Sequence, residues 1–183
     1  MLPGTESRTL SKGIHLSLGS NLGDRFAQLR KALEMLPDAG VQVTRLSSFY
    51  KTQPVDFHPQ PWFANCVAEA QTDLLPLGLL RRLKTIERAL GRRSGGVVNG
   101  PRTIDIDILL YGDAVVNSAE LTIPHPRLAE RRFVLVPLVE IAPEVRHPVT
   151  QLTVREMLAS TNDHSRVMRL DKGNREQGTG YRE

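Results

Sequence analysis

Two aspartates separated by one residue, Asp105 and Asp107, are the residues of this sequence best suited to chemistry. They stand in G-P-R-T-I-D-I-D-I-L-L-Y-G, residues 100–112, where polar and apolar residues alternate strictly from 103 to 108. That alternation is the period of a β-strand with one dry face and one wet face. Ile104, Ile106 and Ile108 then point into a core, and the two carboxylates share the other face, roughly 7 Å apart by the strand rise. Like charges held side by side repel, and a cation removes that cost. Mg²⁺ suits such a pair because it takes few carboxylates, keeps several waters and completes its shell with substrate phosphates. One ion, or two about 3.5–4 Å apart, would clamp a phosphate chain. Arg102, just ahead of the strand, offers a planar fork to phosphate oxygens. A solvated strand face with two surface carboxylates is the competing reading of D-x-D taken alone.

Other stretches bear on that choice. Residues 92–100, R-R-S-G-G-V-V-N-G, follow Gly91 and place Arg92 and Arg93 at the base of a glycine-rich segment, an arrangement suited to a lid over a polyphosphate or to a plain connector. His125 lies between Pro124 and Pro126, a stiff frame that fixes its direction, with Arg127, Arg131 and Arg132 nearby. Residues 51–65 hold Pro54, Pro59 and Pro61 together with Phe57, Trp62 and Phe63, which reads as a long shaped loop. Asn65 ends it, and an amide offers a donor and an acceptor side by side, suited to the edge of a heterocycle or to tying the loop down. Lys84 and Glu87 share a helix face at i, i+3, the spacing of many surface ion pairs. G-S-N-L-G-D at 19–24 is a turn that could cap a helix; it lacks the Lys-Ser/Thr of a P-loop.

The elements that must position these groups alternate between strand and helix. Residues 14–18, 41–50 and 66–72 read as strands, the second by its β-branched content. Phe26, Leu29, Leu33 and Leu36 recur at helical spacing until Pro37, and Leu79, Leu80, Leu83, Ile86 and Leu90 do so between Pro76 and Gly91. Pro137 argues against a central strand at 134–142, so Val134, Leu138 and Ile141 predict a short helix. Thr153 and Glu156 form a capping box for a last helix, and 167–170 reads as a terminal strand. Residues 1–13 read as an extension, 14–170 as one domain and 171–183 as a polar, disordered tail.

With 183 residues, 40% hydrophobic and 24% charged, the chain has the make-up of one ordinary globular domain. Its net charge of +4 favours anionic ligands without choosing among them, and the excess of arginine over lysine, 19 to 5, carries no function by itself. The single cysteine, Cys66, excludes an internal disulfide and points to a reducing compartment, and no apolar run reaches membrane-spanning length. A cytoplasmic location is the expectation, with polyphosphate, nucleic acid and mere solubility all open as reasons for the charge.

Taken together, L-G-S-N-L-G-D, S-S-F-Y-K-T-Q-P, Q-P-W-F-A-N, I-E-x-x-L-G-R, the aspartate strand and I-P-H-P-R-L-x-E-R-R-F-V-L-x-P-L-x-E-I-A-P occur in an order and spacing that resembles the 6-hydroxymethyl-7,8-dihydropterin pyrophosphokinases of folate biosynthesis. The resemblance implies an α+β, ferredoxin-like fold with a mainly antiparallel sheet and helices packed on it. It implies transfer of the β,γ-pyrophosphoryl group of ATP to the pterin hydroxymethyl oxygen, with two Mg²⁺ ions held by Asp105 and Asp107. Arg92, Arg102, His125 and Arg131 would then contact the phosphates, with Lys84, Glu87, Ile108 and Thr122 nearer the nucleoside. Thr52, Pro54, Val55 and Asn65 would line the pterin pocket, and Phe63 and Phe133 would sandwich the ring. On the chemistry of such a site, the substrate hydroxyl would be activated mainly by a metal ion, with Asp107 accepting the proton. Ser94 and Asn99 stand where some members carry a basic residue and a tryptophan, and Pro126 where some carry an aromatic, so lid closure and nucleotide packing are expected to differ. The rival class is an RNA-binding module, since ferredoxin-like sheets with basic loops also serve that role, and it asks for stacking aromatics on central strands. A D-x-D nuclease is a weaker third reading.

Overall fold

Ile14, Leu16 and Leu18 alternate along strand β1 (Lys12–Ser20) and are fully buried, so one face of this strand is core along its length. Their neighbours across the sheet are small on one side, Ala70, Ala68 and Cys66, and branched on the other, Ile108 and Ile106 opposite Leu16 and Leu18. The small side chains leave room for helices α1 (Arg25–Met35) and α2 (Pro76–Ala89), whose Leu29, Ala32, Leu79, Leu83 and Ile86 fill the layer. Asp24 caps α1 by accepting a hydrogen bond from the Ala27 amide at 2.9 Å. The computed structural model describes residues 11–55, 60–92 and 100–170; the expected tail at 171–183, and residues 1–10 of the expected extension, lie outside them.

Sequence order runs β1, α1, β2 (Val41–Leu46), β3 (Tyr50–Thr52), β4 (Phe63–Thr72), α2 and β5 (Asp105–Tyr111). In space the antiparallel sheet is ordered β5-β1-β4-β3, with β2 also on β4 and β8 (Val167–Arg169) added beyond β3. Counting β2 and β3 as one broken strand gives βαββαβ, the ferredoxin-like α+β arrangement. Strands β6 (Val116–Asn117) and β7 (Thr122–Ile123) form a separate hairpin.

The second face of the sheet is divided. One half is covered by α3 (Arg132–Ile141) and α4 (Val154–Ser160), which bury Val134, Leu135, Leu138, Ile141, Val154 and Met157 against Val67, Leu109 and Leu110. The other half presents Ser17, Gly19, Phe63, Asn65, Asp105 and Asp107 to the same cleft.

Several boundaries differ from expectation for physical reasons. The strand expected at 41–50 is broken at Ser47, whose hydroxyl replaces a ladder carbonyl by accepting from the Val67 amide at 2.9 Å. The next strand starts at Phe63 rather than Cys66, because Phe63, Ala64 and Asn65 pair with β3 while Ala64 and Asn65 pair with Ser20 and Gly19 of β1. Lys12 and Gly13, read as extension, and Gly19 and Ser20, read as the start of a turn, all belong to β1, where they pair with Thr72, Gln71, Asn65 and Ala64. The helix with an internal Pro137 and the Thr153–Glu156 capping box are present as expected. Among the described residues no helix is long and apolar enough to cross a membrane.

Candidate active site

Strand β5 runs beside β1 with Asp105 opposite Gly19 and Asp107 opposite Ser17, so both carboxylates stand on the open half of the sheet over residues too small to cover them. They differ in partners. Asp105 pairs with Arg92 through one oxygen and with Arg102 through the other. Burial pushes the Asp105 carboxyl up, but the charges of Arg102 and Arg92 outweigh it and hold the group below the ordinary carboxylate range. No described residue hydrogen-bonds the Asp107 carboxyl. Burial, and then the neighbouring Asp105, push it up to about 6. A partly buried carboxylate with no donor of its own, beside a second carboxylate, is a donor set that fits Mg²⁺. Among the described residues no third acid, histidine or cysteine joins them.

Glu87 and Arg92 are set by the end of α2. Gly91, at φ +89°, reverses the chain so that the Arg92 amide donates to the Glu87 carbonyl at 2.9 Å. The Glu87 side chain, 1% exposed, accepts from the buried Ile106 amide at 2.7 Å and pairs with Lys84 at 2.9 Å and Arg92 at 2.7 Å. It is therefore no surface pair: it couples helix, arginine and aspartate strand. Burial raises its carboxyl, with Lys84 and the Ile106 amide opposing in part.

Arg102 is fixed from below by Asn21, whose Oδ1 accepts from the Arg102 amide at 2.8 Å while its Nδ2 donates to Gln60 at 3.0 Å and to the Pro61 carbonyl at 3.2 Å. Residues 56–59 of the long loop, and 93–99 of the glycine-rich segment with Ser94 and Asn99, lie outside the described residues.

The cleft beside the aspartates is lined by Thr52, Pro54, Val55, Phe63, Asn65 and Phe133, joined by Arg102 and Arg131. Asn65, 3% exposed, donates from Nδ2 to the Thr52 hydroxyl at 2.6 Å. The Arg131 guanidinium lies 5.6 Å from the Phe133 ring centre. Sequence reading missed Ser17, Gly19, Gln53 and Gln60 in this wall, and glycine in a buried strand was the one available signal.

A second cleft lies on the other side of β5. Leu80, Ile106 and Ile108 form its apolar part, Lys84 and His125 its cationic edge, and Thr122 with the turn at Ser118 and Glu120 its rim. His125 Nδ1 accepts from the Arg127 amide at 3.1 Å, which leaves Nε2 to carry the proton. Burial, then Arg131, lower this imidazole to about 4, so it is a neutral donor at physiological pH. Asp107 lines both clefts.

The sixteen residues to which the resemblance gives a role lie on the two clefts or on the ion-pair chain joining them at Asp105, Glu87 and Arg92; Arg127 and Arg132 line neither cleft, and Arg93 lies outside the described residues. Fold and site define a ferredoxin-like α+β domain with a carboxylate pair, ringed by arginines, where two clefts meet.

Comparison with known proteins narrows that class. Residues 15–143 match the family model for 7,8-dihydro-6-hydroxymethylpterin-pyrophosphokinase (HPPK). A 2-amino-4-hydroxy-6-hydroxymethyldihydropteridine pyrophosphokinase of Aquifex aeolicus is 41% identical over 78% of this chain and 88% of its own length. The protein of the same name from Bacillus subtilis is 44% identical over 74% and 81%. The folic acid synthesis protein fol1 of Pneumocystis carinii is 41% identical over 87% of this chain, which spans only 22% of that relative. A crystal structure of Plasmodium falciparum HPPK-DHPS superposes with a TM-score of 0.66 at 16% identity, over 84% of this chain and 46% of that one, and establishes likeness of fold. The chain belongs to the HPPK family.

Proposed function

We propose that the chain transfers the β,γ-pyrophosphoryl group of ATP to the hydroxymethyl oxygen of 6-hydroxymethyl-7,8-dihydropterin, giving the pterin diphosphate and AMP in folate biosynthesis. The observation that carries this reading is the position of Asp107 in the wall of both clefts, one faced by aromatic rings and an amide, the other apolar with a cationic edge. A flat heterocycle suits the first and a nucleotide the second, and the carboxylate pair stands at their junction.

In this reading the amide of Asn65, held by Thr52, addresses the edge of the pterin, with Pro54 and Val55 beside it and the rings of Phe63 and Phe133 on its faces. Lys84, Ile108 and Thr122 line the cleft nearer the nucleoside, with Glu87 paired to Lys84 behind it. Arg92, Arg102, Arg131 and the Nε2–H of His125 donate to phosphate oxygens. Asp105 and Asp107 are the residues that hold Mg²⁺, two ions in this reading, and when bound the metal neutralises the phosphate chain. The hydroxymethyl oxygen forms its bond to the β-phosphorus, the bond from that phosphorus to the oxygen of the α-phosphate breaks, and AMP leaves. Asp107 accepts the hydroxyl proton. Arginine cations already aimed at the junction offset the charge that grows on the α-phosphate oxygen.

The reading takes the chain as a monomer in the cytoplasm, without a nucleic-acid partner; the buried thiol of Cys66 is in keeping with a reducing compartment. Phe63 does lie on a central strand, as an RNA-binding sheet would require, but Asp105 and Asp107 share its cleft and would repel a phosphate backbone.

The test is incubation with ATP, Mg²⁺ and the hydroxymethylpterin. AMP and the pterin diphosphate should appear in equal amounts. ADP in place of AMP, or no product, refutes the reading.

A further inference from the structure

Glu140 touches neither cleft, yet it is among the most heavily bonded carboxylates of the molecule. It stands one residue from the end of α3 and accepts from the Ser48 amide at 2.9 Å, the Ser48 hydroxyl at 2.8 Å and the Tyr50 hydroxyl at 2.8 Å. Arg169 of β8 is 3.5 Å away. Three donors from one short stretch of chain converge on two oxygens, and Tyr50 is 5% exposed.

The positions of these residues relative to the first cleft give the arrangement a consequence. Phe133 precedes Glu140 by seven residues on α3, two helical turns, so both lie on one face about 10 Å apart. Tyr50 and Thr52 are alternate residues of β3 and share a face of that strand. One face of the flat ligand is held by Phe133 at the start of α3 and the other by Phe63, whose partner in the sheet ladder is Thr52 of β3; Gln53, Pro54 and Val55 line the cleft beyond that pair. The Glu140 carboxylate ties the helix that carries Phe133 to the strand that is paired with Phe63 and Asn65. A second brace acts at the near end. Asp163 accepts from the Arg132 amide at 2.7 Å, and Arg166, three residues on, pairs its carbonyl with the Gln53 amide at 2.9 Å.

We propose that Glu140 is a positioning residue, which through Tyr50 and Ser48 sets the spacing between the two walls that hold the flat substrate. This rests on the pterin reading of the first cleft. A glutamine here keeps the shape but only one acceptor oxygen, so at least one of the three donors loses its partner. The Asp163 brace and the apolar packing of α3 remain, so the chain still folds. A planar ligand gripped on both faces is sensitive to a gap of a fraction of an ångström, because dispersion contacts fall off steeply. The nucleotide cleft, built on β5, α2 and the β6–β7 hairpin, shares no element with the strut.

The experiment is steady-state kinetics of the full chain with both substrates varied, for wild type, Glu140→Gln, Tyr50→Phe and the double variant. Thermal melts are run alongside. The expected result is a pterin KM raised about five- to twentyfold by Glu140→Gln and less by Tyr50→Phe, with ATP KM within twofold and kcat within threefold of wild type. The double variant should show less than the product of the two single effects, because Tyr50 acts through a bond to Glu140. A lowered melting temperature with unchanged pterin KM, or a parallel rise of both KM values, overturns the proposal and leaves Glu140 a structural residue. Should Glu140→Gln fail to fold, Tyr50→Phe decides by the same criteria. A wild-type chain that releases no AMP sinks the proposed function and this inference with it; an active wild type with insensitive variants sinks this inference alone.

Discussion

Gly19 of β1 and Asn65 of β4 face each other so closely that a Cβ on Gly19 would lie 2.5 Å from the Asn65 Oδ1. The amide cannot simply swing away, because its nitrogen is bonded to the Thr52 hydroxyl at 2.6 Å. Gly19→Ala is therefore expected to displace the Asn65 amide. The cost to stability is about 1–3 kcal/mol, the usual range for overpacking, and pterin KM should rise at least tenfold with ATP KM unchanged. Equilibrium unfolding and two-substrate kinetics check it, and an unchanged pterin KM contradicts the place given to Asn65.

Asp105 and Asp107 should separate when mutated. Asp107 has no donor among the described residues and stands beside a like charge, so Asp107→Asn relieves repulsion and leaves stability equal or higher. Asp105→Asn takes the counter-charge from Arg92 and Arg102, both partly exposed, and should cost about 1–3 kcal/mol. Turnover should fall by a thousandfold or more in each, since each holds the phosphate-neutralising ion in the proposed reaction. Turnover near wild type in either variant removes the proposed metal site.

The period-two alternation around Asp105 and Asp107 was legible because strand side chains alternate faces whatever the tertiary setting. The pairing of Lys84 with Glu87 was legible too, but not its burial. Spacing along a helix says which residues meet, and nothing about whether a strand such as β5 closes over them. Pro59 and Pro61 argue for a loop up to Phe63 and Asn65, yet β3 supplies ladder partners for both, and β1 for Asn65, and these draw them into β4. At Ser47 a side chain stands in for a backbone acceptor, which no periodicity records. The β6–β7 hairpin, two residues a side, is too short to leave a pattern.

The pH dependence of stability carries a signature of Glu140. Burial pushes its carboxyl up, but hydrogen bonds from Ser48 and Tyr50 outweigh that and hold it below its ordinary value. A depressed folded-state pKa means the stabilisation is present in full above the ordinary carboxylate value of 4.5 and is lost as pH falls through the folded-state value. Glu140→Gln should thus be less stable than wild type by about 1–2 kcal/mol at pH 7, in line with hydrogen bonds to a charged group. The gap should narrow as pH is lowered below 4.5. Urea titrations at pH 7 and pH 3.5 measure it, and a gap that stays constant shows that the carboxylate's charge is not what Ser48 and Tyr50 stabilise.

Removal of the Glu87 carboxylate tests how the aspartate strand is held to α2. Of its three partners, Lys84 and Arg92 are 41% and 30% exposed and regain water when the acid is lost, so their charges add little. The Ile106 amide is buried and has nowhere else to donate. An unpaired buried N–H sets the cost of Glu87→Ala at about 1–3 kcal/mol. Glu87→Gln keeps an oxygen for that amide and should cost less than half as much. Both release Arg92 from one of its two acids, so ATP KM should rise in both, by a similar factor, despite their different stabilities. Equal destabilisation by alanine and glutamine would mean that the ion pairs, not the amide of Ile106, are what Glu87 provides.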